Sequence, residues 1–231
     1  GKAVPPLACG YSQTTSGAWH TLGYNSGAAA TPGILMSSSS AKASLQQLDT
    51  ILSKWPGAID ALMMKAELLE MTGSDNEALK ALEEAYALNP SDVELSYTLA
   101  FRYAESKNPK VLALSDSLIR MDTSESHAEP YYFKGVYYSN TGNTSQALHF
   151  FNEAITHDYH FLDSYLEKGR IFYNQKKYAD AFKVFQLAAT ITPSYADAYY
   201  WMGRVQEALN DKEEAKLNYL RAYGLDKTLT E

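Results

Sequence analysis

Residues 165–203 read YLEKGRIFYNQKKYADAFKVFQLAATITPSYADAYYWMG, and this stretch decides the fold. It opens on Tyr165 with Gly169 four residues on, and closes on Tyr199 with Gly203 four residues on, a step of 34. One further step back lie Tyr131 and Gly135. The alanines keep the same ruler: Ala147, Ala181 and Ala215, then Ala154, Ala188 and Ala222. Nearer the front, Pro56 and Pro90 are 34 apart, with Ala78 and Ala85 at the small positions before Pro90. A period of this size marks stacked helical hairpins, each too small to bury its own apolar face.

Packing gives the pattern a reason. Glycine in a helix interior costs about 1 kcal/mol relative to alanine. Gly135, Gly169 and Gly203 therefore imply a partner helix that crosses too closely for a side chain. The alanines seven apart share one helical face and permit the same approach. Large pairs such as Tyr165 and Phe185 are expected to fill the wedge beside the crossing. Thr72-Gly73-Ser74-Asp75 and Thr141-Gly142-Asn143-Thr144 read as helix stops that offer side-chain caps to the next helix. Pro193-Ser194 and Pro90-Ser91-Asp92 read the same way between hairpins.

These motifs resemble the tetratricopeptide-repeat (TPR) family. Its spacing of aromatic, leucine, small and aromatic residues, then alanine, aromatic, alanine and proline, is met most fully by Tyr165, Lys168, Gly169, Phe172, Ala181, Phe185, Ala188 and Pro193. Tyr199, Met202, Gly203, Ala215, Tyr219 and Ala222 follow it, as do Tyr131, Gly135, Tyr138, Ala147, Phe151 and Ala154. Leu62, Ala66, Leu69, Ala78, Leu82, Ala85 and Pro90 form the earliest complete unit. Between them lies a degenerate unit, with Leu99, Ala100 and Tyr103 in place. Its second helix, near Lys110 to Met121, has Val111 and Leu118 where small residues are expected, and one extra residue precedes Ala128. The resemblance implies an all-α right-handed superhelix over 42–231. It comprises a half-repeat at 42–56 and hairpins at about 59–92, 93–127, 128–161, 162–195 and 196–229. The half-repeat places Leu45, Leu48, Ile51 and Leu52 on one face.

Residues 1–41 are a different material: Lys2 is their one charged residue, amid Gly, Ser, Thr, Ala and Pro. They keep no helical period, and the run Ser37-Ser38-Ser39-Ser40 is a poor helix former, so an irregular, partly disordered segment is expected. Leu7-Ala8-Cys9-Gly10 looks like the end of a bacterial lipoprotein signal, although Pro6 departs from it. A lipid anchor at Cys9 and a plain free thiol both stay open. This segment leans toward a periplasmic or surface-associated bacterial protein, with a cytoplasmic adaptor as the alternative. The chain has 231 residues, a formal charge of −7, one Cys and 18 Tyr, 16 of them between Tyr86 and Tyr223. One Cys excludes an intramolecular disulfide scaffold and a multi-thiolate zinc site. No run of 18 apolar residues appears.

The resemblance also says where function sits: positions 2, 5, 9 and 12 of each first helix line the inner face. Those are Asp60, Met63, Glu67 and Glu70; Glu94, Tyr97, Phe101 and Ala104; Glu129, Tyr132, Val136 and Ser139. The last two hairpins supply Asp163, Leu166, Arg170 and Tyr173, then Asp197, Tyr200, Arg204 and Glu207. The candidates for binding a protein or extended peptide are Tyr97, Phe101, Tyr132, Arg170, Tyr173, Tyr200 and Arg204. Aromatic rings give contact area at low entropic cost, and arginine can grip a carboxylate with two nitrogens. The competing reading is structural: these tyrosines pack on the next hairpin, Arg170 pairs with Asp163 or Asp197, or the chain's own front segment fills the face. The lysine and asparagine pattern that clamps a C-terminal carboxylate in one sub-type is not matched.

Enzymatic readings find little support, and no cofactor is implied. His157-Asp158-Tyr159-His160 holds metal-type ligands but occupies an ordinary inter-repeat turn. No phosphate loop, nucleophile elbow or His-Glu-x-x-His is present. Glu83-Glu84 and Glu213-Glu214 read as solvated charge. A net charge of −7 and acidic inner positions oppose nucleic-acid phosphates.

Overall fold

The structure is a computed structural model that describes residues 12–13, 19–20, 38–121 and 127–229. Among them are eleven α-helices and one pair of two-residue strands. The chain divides into two compact units, residues 34–157 and residues 158–231 together with 1–33.

The unit 34–157 holds α1 (Ser38–Lys54), α2 (Ile59–Met71), α3 (Asp75–Leu88), α4 (Val93–Glu105), α5 (Lys110–Met121), α6 (Glu129–Asn140) and α7 (Thr144–His157). One core runs from α2 to α6 through Leu62, Ala66, Leu82, Leu95, Leu99, Tyr103, Val111, Leu118 and Phe133. Val111 and Leu118, the large residues of the degenerate hairpin, are buried in it. A smaller cluster seats α1 on α2 through Ala41, Leu48, Ala61 and Leu68. Helix α1 therefore starts inside the stretch expected to be irregular. Serine is unfavourable in a helix interior but favoured where the first N–H groups lack partners, and buried Ala41 anchors the turn that follows. Ile51, expected on the apolar face, is instead exposed.

The unit of 158–231 with 1–33 holds α8 (Leu162–Asn174), α9 (Tyr178–Ile191), α10 (Ala196–Ala208) and α11 (Lys212–Leu225). It also holds β1 (Ser12–Gln13) and β2 (Trp19–His20), paired antiparallel with Gln13 opposite Trp19. Cys9 lies outside the described residues.

Every hairpin turns the same way. Gly73, Lys107, Gly142, Lys176 and Asn210 all have positive φ, between 58° and 83°. The residue after each donates its N–H to a carbonyl five positions back: Ser74 to Leu69, Asn108 to Tyr103, Asn143 to Tyr138, Lys177 to Phe172 and Asp211 to Gln206, at 2.8–2.9 Å. This is the Schellman end, which satisfies carbonyls the helix leaves open. The expected caps are fewer than the oxygens available. Asn143 Oδ1 accepts from the Gln146 N–H and Asp92 Oδ1 from the Leu95 N–H. Ser74 sits at its helix start without a side-chain cap bond, and α10 is preceded by Tyr195 rather than Ser194.

The close crossings are as the glycines require. A Cβ at Gly135 would lie 2.5 Å from Phe151 Cε1, and one at Gly203 would lie 2.8 Å from Tyr219 Cδ1. Gly169 faces Phe185 in the same way, its Cβ 2.5 Å from the ring's Cζ. The ring of the second helix thus occupies the space that the missing side chain leaves. Tyr165 and Tyr199 are buried and donate to the carbonyls of Tyr159 and Pro193, six residues back in both cases. Tyr131 stacks on His157 at 4.3 Å.

Candidate functional site

The inner-face residues gather into one patch in each unit. In 34–157, half-buried Tyr97, Phe101 and Tyr132 surround the buried Phe133, with ring centroids 5.8–6.2 Å apart. Tyr97 also meets His127, and Tyr132 meets Phe151. Phe133 is the organising ring, and it was not among the candidates read from sequence. The acidic end is less acidic than its composition: Glu70 accepts from Arg102 at 2.8 Å, and Arg102 also donates to Glu105 at 2.8 Å. Asp60 and Glu67 are exposed. Glu83 is more than solvated charge. It accepts from Tyr103 Oη at 2.7 Å and Lys110 Nζ at 2.6 Å, and these bonds hold its carboxyl below the ordinary value.

In 158–231 the structure brings Arg170, Tyr173, Tyr200 and Arg204 together around a residue the sequence reading missed, Trp201. The Trp201 ring stacks on Phe185 and meets the edges of Tyr173 and Tyr200. The Arg170 and Arg204 guanidinium carbons lie 5.5 and 5.6 Å from its centroid. Arg204 is also 5.9 Å from both Tyr173 and Tyr200 and donates to Tyr200 Oη at 3.3 Å. Contact with several ring faces adds attraction and fixes the guanidinium plane. Arg170 pairs with Glu167 at 2.6 Å, rather than with Asp163 or Asp197 as the structural reading expected.

Two carboxyls behind this patch are poorly hydrated. Asp163 is 5% exposed, and burial, then Glu167 and Asp197, push its carboxyl well above the ordinary value of 3.8. Burial and then Asp226 raise Asp197 to about 6, opposed by Arg170. Among the described residues no group of three or more His, Cys, Asp or Glu could hold a metal ion. No helix among them is long and apolar enough to cross a membrane.

Comparison with known proteins agrees with this geometry. Family descriptions of the TPR repeat match residues 169–210, and of the tetratricopeptide repeat match residues 59–102, 128–158 and 196–229. The chain belongs to the tetratricopeptide-repeat family, whose hairpin arrays serve as protein-binding scaffolds. Tetratricopeptide repeat protein 1 of Schizosaccharomyces pombe is 26% identical over 196 residues, 77% of this chain and 18% of that protein. The chain therefore spans less than a fifth of that relative's length. A tetratricopeptide repeat protein from Parabacteroides merdae superposes with a TM-score of 0.64 at 20% identity, over 81% of this chain and 73% of that one. PilW, described as a type IV pilus biogenesis factor, gives 0.62 at 15% identity, over 85% of this chain and 90% of its own. At such identity the likeness concerns the fold.

Proposed function

We propose that this chain is a non-enzymatic assembly module, a protein-binding scaffold whose 158–231 inner face is engaged by the chain's own front segment. The observation that carries this reading is that β1 and β2, the described residues of the front, group with 158–231 in one compact unit. An intramolecular segment needs no translational entropy to dock, so even modest contacts hold it. The test is a photo-crosslinking amino acid at Tyr200 in the intact chain, with the products mapped by mass spectrometry. Crosslinks within one molecule to residues 1–33 are expected. Their absence, with crosslinks only to neighbouring helices, refutes the reading.

A second reading concerns the other unit. Tyr97, Phe101 and Tyr132 keep half-exposed faces around Phe133, which suits an extended partner segment with apolar side chains.

A further inference from the structure

The second helices α3, α7, α9 and α11 share one register, and α11 departs from it on its outer face. Leu217 stands where α3, α7 and α9 carry Lys80, His149 and Lys183, and Leu220 where they carry Glu83, Asn152 and Gln186. Polar side chains suit these positions, which lie across the helix from the alanines that pack inward. On α11 the inward side is Ala215 and Ala222, both buried, whereas Leu217 and Leu220 are 58% and 53% exposed. Gly224 continues their face, with nothing within 4 Å of a built Cβ. Apolar residues grouped on an open face mark a contact surface. A further hairpin stacked on α11 would not cover them: α10 packs on α9, yet Lys183 and Gln186 stay exposed there.

The side chains around the leucines narrow the occupant. Glu214 and Arg221 flank them on one side, Lys216 and Tyr223 on the other, and each pair is seven residues apart. Among the described residues the Glu214 carboxylate meets no cation and Arg221 meets no carboxylate. Arg221 lies over the Tyr199 ring, 4.1 Å from its centroid. A two-fold axis between Leu217 and Leu220 sets one α11 antiparallel on another, so that each contact occurs twice. Leu217 then meets Leu220 of the second copy. Glu214 comes within reach of Arg221 of the second copy, and Lys216 faces the ring of its Tyr223. Glu213, the one charge on the leucine face of the helix, meets Gly224, which has no side chain to obstruct it. A parallel pairing would set Glu213 against itself.

We propose that α11 is a self-association surface, pairing antiparallel with α11 of a second copy of this chain, leucine on leucine, with Glu214 and Arg221 setting the register. Rim charges of this kind choose orientation more than they add affinity. One helix pair covers less than the roughly 1,200 Å² of a standard interface, so the association is reversible and micromolar. The surface lies on a second helix, away from the inner-face positions, and its test is independent of what the inner face holds.

The test is sedimentation velocity of the full chain across the micromolar range, in a reducing agent so that Cys9 forms no disulfide. A reversible monomer–dimer equilibrium is expected. Leu217→Lys with Leu220→Gln copies the residues that α9 already exposes, and should leave a monomer with unchanged helical circular dichroism. Glu214→Arg and Arg221→Glu should each weaken the dimer about tenfold, because each alters two contacts. The double variant Glu214→Arg with Arg221→Glu should regain the original dimerisation constant, which a damaged fold would not do. A chain that stays monomeric throughout, the outcome if a different protein covers the leucines, overturns the proposal. So does association that the leucine substitutions leave unchanged. A double variant as weak as the single ones, the outcome of a parallel pairing, overturns it as well.

Discussion

Gly169→Ala and Gly224→Ala are the same chemical change in the same unit, and the structure assigns them opposite signs. At Gly169 the added methyl would lie 2.5 Å from Phe185 Cζ and 2.8 Å from Cδ1. Carbon atoms in contact settle at about 3.5–4.0 Å, so the ring must retreat by about 1 Å. Phe185 is fully buried and has no solvent to retreat into. Overpacking of this kind costs about 1–3 kcal/mol, against a gain of about 1 kcal/mol in helix propensity. The net expectation is a loss of about 1 kcal/mol. Gly224 lies in the last turn of α11 with nothing within 4 Å of a built Cβ, so alanine there should gain about 0.5 kcal/mol. Urea unfolding followed through Trp201, which sits in the unit with both glycines, should move the two midpoints in opposite directions at an unchanged slope. Adding Phe185→Leu to Gly169→Ala should recover part of the loss as a coupling energy. If both alanine variants are stabilised alike, the close crossing is not what fixes the glycine.

Asp163→Asn should stabilise the chain at pH 7.5 and lose that advantage near pH 4. The folded-state pKa of Asp163 is raised above 3.8, so the folded protein holds a proton there that the unfolded chain releases. That carboxyl therefore lowers stability as pH rises above 3.8, and imposes no differential cost below it. Denaturant midpoints of the two proteins across this range check the sign, and a constant difference would refute it. Lys176→Gly should raise the thermal midpoint, because Lys176 holds a φ of 59° in which a Cβ costs about 1 kcal/mol. Calorimetry reads this directly, and a lowered midpoint would mean that the lysine side chain matters more than its backbone.

Much of the fold was legible because a repeat states its packing rule several times over. Gly135, Gly169 and Gly203 announce a close crossing, and Phe151, Phe185 and Tyr219 fill it. The shared turn was only partly visible. Gly73 and Gly142 signal positive φ, whereas Lys107 and Lys176 adopt it under the demand of the Schellman bond. The start of α1 was hidden because propensity speaks against serine, while the burial of Ala41 comes from a neighbouring helix. The candidate site divides in the same manner. Arg170 and Arg204 were reached through the inner-face positions that the family resemblance implies, and they lie 34 residues apart. Trp201 was not, since it lies off the inner-face positions and matters only through the rings and cations that converge on it.

By itself the sequence determined the hairpins, their period, the small residues at their crossings and the family, because all of these are set within 34 residues and repeated. The tertiary structure alone decided which carboxylate each arginine meets, that Glu70 is neutralised by Arg102, and that Asp163 is buried. Those outcomes depend on ångström-scale distances between helices and on which surfaces exclude water. A one-dimensional spacing can bring two charges to the same face, but only packing sets their distance and their dielectric surroundings.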